Sequence, residues 1–112
     1  MKARIKVWIM FNNEVKLGDG RAEFLELVDR MGSIKQAVDR FGMSYRNAWG
    51  YLRELEKAAG FRFLERRPSG GPASGTRLTR KGKKFLARYR RFRKGLDTLV
   101  DHRFAKVFSQ EG

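Results

Sequence analysis

The sequence contains no cysteine and a single histidine. Without thiols, the chain forms neither a disulfide nor a thiolate metal site. The one histidine, His102, lies between Asp101 and Arg103, and we interpret it as a surface or interface residue. No carboxylate cluster, no glycine-rich phosphate loop after a strand and no serine with a base nearby is evident. The sequence therefore predicts a protein that is not an enzyme and uses no metal or cofactor.

Long apolar runs are also missing. No stretch approaches the roughly 18 apolar residues of a membrane-spanning helix. The N-terminal segment Met1–Phe11 has neither the apolar core nor the cleavage site of a signal peptide. Together with the absence of cysteine, these features predict a cytoplasmic protein that does not span a membrane.

Acidic residues are scarce relative to basic ones. The 112 residues include 26 Lys and Arg but only 12 Asp and Glu, which gives a net charge of +14. A small domain with such an excess repels itself, and its usual partner is nucleic acid, with an anionic membrane surface as the competing partner. Residues 80–94 contain cations but no acid, so we expect a surface that meets a polyanion, although a merely solvated helix face would give the same pattern. These cations are Arg80, Lys81, Lys83, Lys84, Arg88, Arg90, Arg91, Arg93 and Lys94.

The first half of the chain predicts a hairpin followed by three helices. Apolar residues 5–11 and residues 14–17 flank Asn12-Asn13, which is typical of a hairpin turn because Asn tolerates positive φ. Asp19 is the expected N-cap of a first helix that ends near Gly32. Ser33 and Ser44 are expected to cap a second helix, which ends at Gly42, and a third, which ends at Gly60.

The second half predicts two strands and a long final helix. Residues 61–66 and 76–78 are strand-like, and residues 67–75 between them form a loop rich in Pro, Ser and Gly. Thr79 is the expected cap of one continuous helix to the end of the chain. Its apolar residues recur at spacings of 4 and 3, the pattern of a helix that pairs with another: Phe85, Tyr89, Phe92, Leu96 and Leu99.

Two short helices joined by the turn at Gly42 predict a helix-turn-helix unit that binds double-stranded DNA. Ala37 would allow the second and third helices to approach closely. The third helix (residues 44–59) carries Ala48, Leu52 and Leu55 on one side and Tyr, Arg and Trp on the other, instead of the Lys and Glu of an ordinary surface helix. The predicted DNA-binding residues here are Ser44, Tyr45, Arg46, Asn47, Trp49 and Arg53. Ser44 and Asn47 could instead only cap the helix, and Trp49 could be half-buried.

The run from Gly32 to Ser44 resembles the helix-turn-helix of LysR-type regulators and, more closely, the N-terminal domain of the ModE family of molybdate-responsive repressors. The shared features are the Gly-Ser-Ile opening at residues 32–34, the sequence Gly-Met-Ser-Tyr-Arg-Asn-Ala-Trp at residues 42–49, the loop at residues 67–76 and Arg-Leu-Thr-Arg-Lys-Gly at residues 77–82. The resemblance covers about residues 5–95.

The resemblance implies an α+β, mainly α, winged helix-turn-helix with an N-terminal β-hairpin. Residues 1–79 would form the DNA-binding part, and residues 80–112 a C-terminal dimerisation helix of the same domain. The third helix would enter the major groove, and the wing, residues 63–78, would reach the DNA backbone or minor groove. Pro68 and Pro72 stand where the family is richer in glycine. Further DNA-binding residues are expected at Arg66, Arg67, Ser69, Arg77, Lys81, Lys83 and Lys84.

A homodimer paired through its final helices would present two recognition helices to successive major grooves, with half-sites about 10 bp apart or at a multiple of that. Full-length ModE continues into an oxyanion-binding domain, whereas this sequence ends at Gly112, so molybdate or tungstate sensing does not carry over from the resemblance. No small-molecule effector site is evident in the sequence, and whether an effector is sensed stays open.

Three functions remain open at this point. The first is a sequence-specific transcription regulator, and the second is a nucleoid-associated architectural protein with little sequence preference. The third is an interaction module or membrane-surface binder that uses the basic C-terminal helix.

Overall fold

The computed structural model describes residues 1–67 and 75–109. This part of the chain is mainly helical and contains two small antiparallel hairpins, which confirms the predicted α+β winged helix-turn-helix class. Its elements in chain order are β1 (Ile9–Met10), β2 (Lys16–Leu17), α1 (Asp19–Met31), α2 (Ile34–Phe41), α3 (Tyr45–Ala59), β3 (Leu64–Arg67), β4 (Gly75–Leu78), α4 (Arg80–Arg93) and α5 (Leu96–Phe108).

The N-terminal hairpin is shorter than predicted and is closed differently. Ile9 pairs with Leu17 and Met10 with Lys16. The predicted hairpin at Asn12-Asn13 is confirmed, but the expected positive φ is wrong, since neither residue has one. Instead, Oδ1 of Asn12 accepts hydrogen bonds from the backbone N–H groups of Glu14, at 2.8 Å, and Val15, at 2.6 Å. The side chain, rather than left-handed backbone, therefore makes this turn.

The caps of the helix-turn-helix unit follow the prediction. The hydroxyl of Ser33 accepts from the N–H of Gln36 at 3.1 Å, and that of Ser44 accepts from the N–H of Asn47 at 2.9 Å. Gly42 ends α2 with φ +72°, a conformation that suits glycine. The turn between α2 and α3 is therefore tight, and it sets the direction in which α3 leaves.

The core lies between α1, α2, α3 and the bases of the two hairpins. Each large apolar side chain buried there contributes about 1.5–3 kcal/mol of burial free energy. A cluster of four aromatic rings joins the N-terminal hairpin, the wing and α4, with neighbouring ring centres 4.7–6.4 Å apart. The four rings belong to Phe11, Phe61, Phe63 and Phe85.

The wing packs against the C-terminal end of α1. In its register Leu64 pairs with Leu78 and Arg67 with Gly75. Thr76 donates its N–H to the carbonyl of Gly32 at 2.9 Å, and Leu78 donates its N–H to Oδ1 of Asp29 at 2.8 Å. Gly75 has φ +125°, and a Cβ there would lie 2.5 Å from the Gly32 oxygen, so only glycine fits. The predicted wing tip, including Pro68, Ser69 and Pro72, lies outside the described residues.

The prediction of one continuous final helix is wrong. Helix α4 ends at Arg93, Lys94 is extended, and Gly95 takes a left-handed conformation with φ +84° before α5 begins. The expected apolar seam is divided as well. Tyr89 is buried in the core of its own chain and Phe85 lies in the aromatic cluster, whereas Phe92 and Leu99 are exposed. The first half of the seam therefore packs within the chain.

The predicted N-cap of α1 is also wrong, since Gly18 caps the helix and Asp19 is its first residue. The Asp19 carboxylate accepts hydrogen bonds from the hydroxyl of Tyr89 and, at 3.2 Å, from the guanidinium of Arg93. Arg93 also pairs with Asp97 at 3.2 Å. The hydrogen bond from Tyr89, assisted by Arg93, lowers the pKa of Asp19, and burial together with the bond to Asp19 raises the pKa of Tyr89 to about 12. This network joins α1, α4 and α5.

We predict that Asp19→Asn flattens the acid limb of the stability profile. Because folding lowers the pKa of Asp19, its ionised carboxylate stabilises the fold above the unfolded pKa of about 4, and this stability is lost as the pH falls through the lower folded value. Denaturant unfolding from pH 6 to pH 2 is the measurement. The control is Asp39→Asn on the exposed side of α2, and equal acid limbs in both variants would contradict the role of Asp19.

Candidate nucleic-acid interface

Helix α3 is held by one narrow apolar face. Ala48, Leu52 and Leu55 are 1%, 4% and 0% exposed, and their spacing places them on one side of a helix with 3.6 residues per turn. This face packs into the core with α1 and α2. The opposite side of α3 must therefore face outward.

The outward side carries the residues predicted from the sequence to bind DNA. Tyr45 is 51% exposed, and Arg46, Asn47 and Arg53 are exposed as well. Gly50 lies among them, and a Cβ at that position would meet no atom within 4 Å, so the backbone is open to close approach. DNA contact by these residues stays a prediction, but the structure places them together on one accessible surface.

Two other predicted residues have structural roles in α3. Ser44 is the N-cap, so its hydroxyl is already used as an acceptor, although the residue is exposed. Trp49 is half-buried and packs against the core, and its ring forms a T-shaped pair with that of Tyr45, with 6.2 Å between the ring centres. Trp49 therefore supports Tyr45 from behind, and only part of its ring is available to a ligand.

The wing is fastened to α3 by one carboxylate. Oε2 of Glu56 accepts hydrogen bonds from the backbone N–H groups of Phe63, at 2.6 Å, and Leu64, at 3.2 Å. These two donors lie where the chain enters β3. Glu56 therefore fixes the position of the wing relative to the outward side of α3.

The predicted wing residues differ in availability. Arg66 is exposed, whereas Arg77 is half-exposed and forms an ion pair with Glu65 at 3.0 Å. The backbone of Arg67 pairs with that of Gly75 between the two strands of the wing. Ser69 lies outside the described residues.

The predicted lysines of the final helix lie close to the wing. Thr79 caps α4 by accepting from the N–H of Gly82 at 2.9 Å. Gly82 is buried, and a Cβ there would lie 2.7 Å from the Phe63 oxygen, so glycine allows α4 to approach the wing backbone. Around it, three side chains are exposed in the first turns of α4: Lys81, Lys83 and Lys84.

The basic block of residues 80–94 does not act as one surface. Arg90 pairs with Glu26 at 2.7 Å, and Arg93 pairs with Asp19 at 3.2 Å. The hydrogen bond to Glu26 raises the pKa of Arg90. Both guanidinium groups are turned toward the protein's own acids, so the expectation that the whole block meets a polyanion needs this correction.

Sequence reasoning missed Arg21 and Tyr51. The guanidinium carbon of Arg21 lies 4.8 Å from the centre of the Tyr51 ring, and the Tyr51 hydroxyl donates to the carbonyl of Lys16 at 2.8 Å. Burial raises the pKa of Tyr51 to about 12. The contact joins the start of α1 to the middle of α3. No local sequence pattern indicates it. Arg21 and Tyr51 line an open groove on α3 together with Arg46, Asn47, Gly50, Arg53 and Glu54.

The described residues contain neither a metal-binding cluster nor a membrane-spanning helix. In residues 1–67 and 75–109, no group of three or more histidine, aspartate or glutamate side chains is arranged to hold a metal ion. None of the described helices has the length and apolar character needed to cross a membrane.

Residues 21–83 match the bacterial regulatory helix-turn-helix proteins of the LysR family. The match extends from α1 to the first turn of α4 and includes α2, α3 and the wing. The chain belongs to this family. The outward surface of α3 is therefore the surface of the second helix of a regulatory helix-turn-helix unit.

Within this family the chain is similar to proteins named ModE. It is 34% identical over 66% of its length to the molybdenum transport protein ModE of Azotobacter vinelandii, covering 27% of that protein. It is 33% identical over 62% of its length to the transcriptional regulator ModE of Haemophilus influenzae, covering 27% of that protein. With the DNA-binding transcriptional dual regulator ModE of Escherichia coli it shares 27% identity over 80% of its length and 34% of the relative. The chain thus spans about a quarter to a third of these relatives.

We predict that Glu56→Ala destabilises the fold and loosens the wing. The change leaves the N–H groups of Phe63 and Leu64 without their acceptor, and an unsatisfied buried donor costs about 1–3 kcal/mol. Urea unfolding should therefore show a loss of that size. Glu54→Ala, two residues earlier and exposed, should stay within about 0.5 kcal/mol of the native chain. Equal losses in the two variants would show that Glu56 does not hold the wing.

Proposed function

We propose that this chain is the DNA-binding part of a sequence-specific transcription regulator that inserts α3 into the major groove. The observation that carries the proposal is the exposed surface of Tyr45, Arg46, Asn47, Gly50 and Arg53 on the second helix of a regulatory helix-turn-helix unit. Membership of the LysR family and similarity to two proteins named as transcriptional regulators support it.

The dimensions and chemistry of α3 suit the major groove. An α-helix with its side chains is about 10–12 Å across, and the groove is about 12 Å wide. Arg46 and Asn47 lie in the first turn, where Arg can bind guanine and Asn can bind adenine through paired hydrogen bonds. Gly50, one turn later, lets the helix backbone approach the bases. Tyr45 and the exposed edge of Trp49 would contact sugars or a thymine methyl group.

The surrounding cations would bind the DNA backbone and set the orientation of α3. Arg53 is the candidate on α3 itself. Arg66, Arg67, Ser69 and Arg77 would act from the wing, where Arg77 would have to share its guanidinium between Glu65 and a phosphate. The start of α4 would add the exposed side chains of Lys81, Lys83 and Lys84.

A low-specificity architectural protein was the alternative reading of the same charge. The similarity to ModE proteins named as transcriptional regulators favours the regulator. The two functions differ in specificity, because a regulator prefers its site by about 10³-fold or more over unrelated DNA.

We further propose a homodimer that pairs through α5. Helix α5 buries none of its residues and exposes Leu99, Val107 and Phe108 at 57%, 60% and 56%. Phe104 stacks on Phe108 with ring centres 4.8 Å apart, so the apolar side chains form a continuous patch. A second copy offers the same patch, as a two-fold interface requires. Such a dimer would present two α3 helices to successive major grooves.

The DNA-binding prediction concerns affinity and sequence preference together. Purified protein should select one motif from a random-sequence duplex pool. On that motif, Arg46→Ala and Asn47→Ala should each cost about 1–3 kcal/mol and relax the preference at one base pair, because each removes a base contact. Lys84→Ala should weaken binding to all sequences alike, because it removes a phosphate contact.

Salt dependence provides the control on this interpretation. If about 6–10 phosphates are neutralised, affinity should fall about 10³–10⁵-fold between 50 and 200 mM salt. Tight binding without a selected motif would favour the architectural alternative, and a chain that binds no duplex at low salt would overturn the proposal altogether.

The dimer prediction is tested by two matched substitutions to aspartate on α5. Val107 lies on the apolar side, whereas Ala105 is exposed on the other side of the helix. Sedimentation should give twice the chain mass for the native protein and for Ala105→Asp, and a monomer for Val107→Asp, because a charge buried in an apolar interface is costly. A native monomer, or dissociation by both substitutions, would rule out pairing through this face.

A further inference from the structure

We propose that Arg21, positioned by the ring of Tyr51, binds the phosphate backbone on the side of α3 opposite the wing. The inference rests on the proposed function. It adds a phosphate contact on the side of α3 that the wing does not cover. It makes Arg21 a binding residue and Tyr51 a positioning residue.

The two sides of α3 are defined by what packs against them. With 3.6 residues per turn, Trp49 and Glu56 lie on one side of the helix, and Asn47 and Tyr51 lie about half a turn away on the other. Glu56 holds the wing through the N–H groups of Phe63 and Leu64. The wing is thus attached to the first side, and the cations expected to bind phosphates there belong to the wing and to the start of α4.

DNA places a phosphate backbone on each side of an inserted helix. The major groove is about 12 Å wide and a helix with side chains fills about 10–12 Å of it, so both bounding backbones lie against the flanks of α3. Helix α1 contacts elements on both sides of α3. Asp29 and Gly32 at the C-terminal end of α1 hold the wing, whereas Arg21 in the first turn of α1 contacts Tyr51. At 1.5 Å per residue, these two ends of α1 are about 12–17 Å apart along the helix axis.

Arg21 is exposed, and its side chain is held beside the groove by contacts within the protein. Its guanidinium carbon lies 4.8 Å from the centre of the Tyr51 ring, within the range of about 6 Å in which a cation is attracted by an aromatic face. The NH1 atom lies 4.0 Å from the Sδ of Met43 in the helix-turn-helix turn. A cation that is ordered before binding loses less entropy when it meets a phosphate.

Tyr51 is itself held in place by the N-terminal hairpin. The side chain is half-buried, and its hydroxyl donates to the Lys16 carbonyl at 2.8 Å. Burial raises the pKa of the phenol to about 12, and the hydroxyl is a neutral donor at neutral pH. The N-terminal hairpin therefore supports Tyr51, and Tyr51 supports Arg21.

The charge balance of the groove favours an anion. Arg21, Arg46 and Arg53 line it together, and Glu54 is its acidic member. Asp19, the first residue of α1, already binds Tyr89 and Arg93. The positive end of the α1 dipole adds to the attraction at this position.

The test is the salt dependence of binding to a labelled duplex of mixed sequence, about 40 bp long. Each phosphate contact contributes about 0.9 to the slope of log affinity against log salt concentration. Arg21→Gln should reduce that slope by about 0.9 per bound protomer and weaken binding equally on unrelated sequences. Arg21→Lys should retain most of the slope. Lys106→Gln, which neutralises an exposed cation near the end of α5, is the control for the loss of one charge and should leave the slope unchanged.

The role of Tyr51 is tested by a double-mutant cycle. Tyr51→Leu removes the ring and should weaken DNA binding in the native background. In the Arg21→Gln background, the same change should have no further effect on binding, because the group it positions is gone. A merely structural role would weaken binding equally in both backgrounds. Circular dichroism melting of each variant checks that the fold is retained.

The outcomes separate this inference from the proposed function. If the native chain binds with a steep salt slope and Arg21→Gln behaves like Lys106→Gln, the contact by Arg21 is disproved and the regulator proposal stands. If the native chain does not bind the duplex at low salt, both fail.

Discussion

The interface depends on the burial of three small or aliphatic side chains of α3, Ala48, Leu52 and Leu55. They fix the rotation of α3 about its own axis, because any other rotation would expose apolar surface or bury Arg46 and Arg53 without partners. Large side chains at these positions would hold α3 farther from the core, since protein interiors are closely packed. The outward surface is thus a consequence of how the inward one packs.

Two polar contacts attach other elements of the fold to the two sides of α3. Glu56 attaches the wing to one side of α3 by accepting two backbone hydrogen bonds. Tyr51 contacts Arg21 on the other side and is anchored to the Lys16 carbonyl. The wing and the N-terminal hairpin therefore have comparable positions around α3, although they are far apart in the sequence. The position of the hairpin gives it a supporting role that its small size does not suggest.

The sequence was sufficient for features that depend on local chemistry. Serine caps at Ser33 and Ser44, the glycine turn at Gly42 and the apolar side of α3 all follow from neighbouring residues. It was insufficient where tertiary contacts decide. The apolar repeat of the final helix gave no sign that Tyr89 would be buried in its own chain or that Gly95 would interrupt the helix. The pairing of basic residues with distant acids, and the contact of Arg21 with Tyr51, likewise depend on the folded arrangement.

The orientation of α3 toward DNA is the central claim, and cysteine protection tests it most directly. The chain has no cysteine, so Glu54→Cys and Ala105→Cys each carry one thiol, at exposed positions on α3 and α5. With duplex DNA present at saturation, alkylation should slow strongly at residue 54 and remain unchanged at residue 105. Equal alkylation rates at residue 54 with and without bound duplex would contradict the account, because α3 would then lie outside the groove.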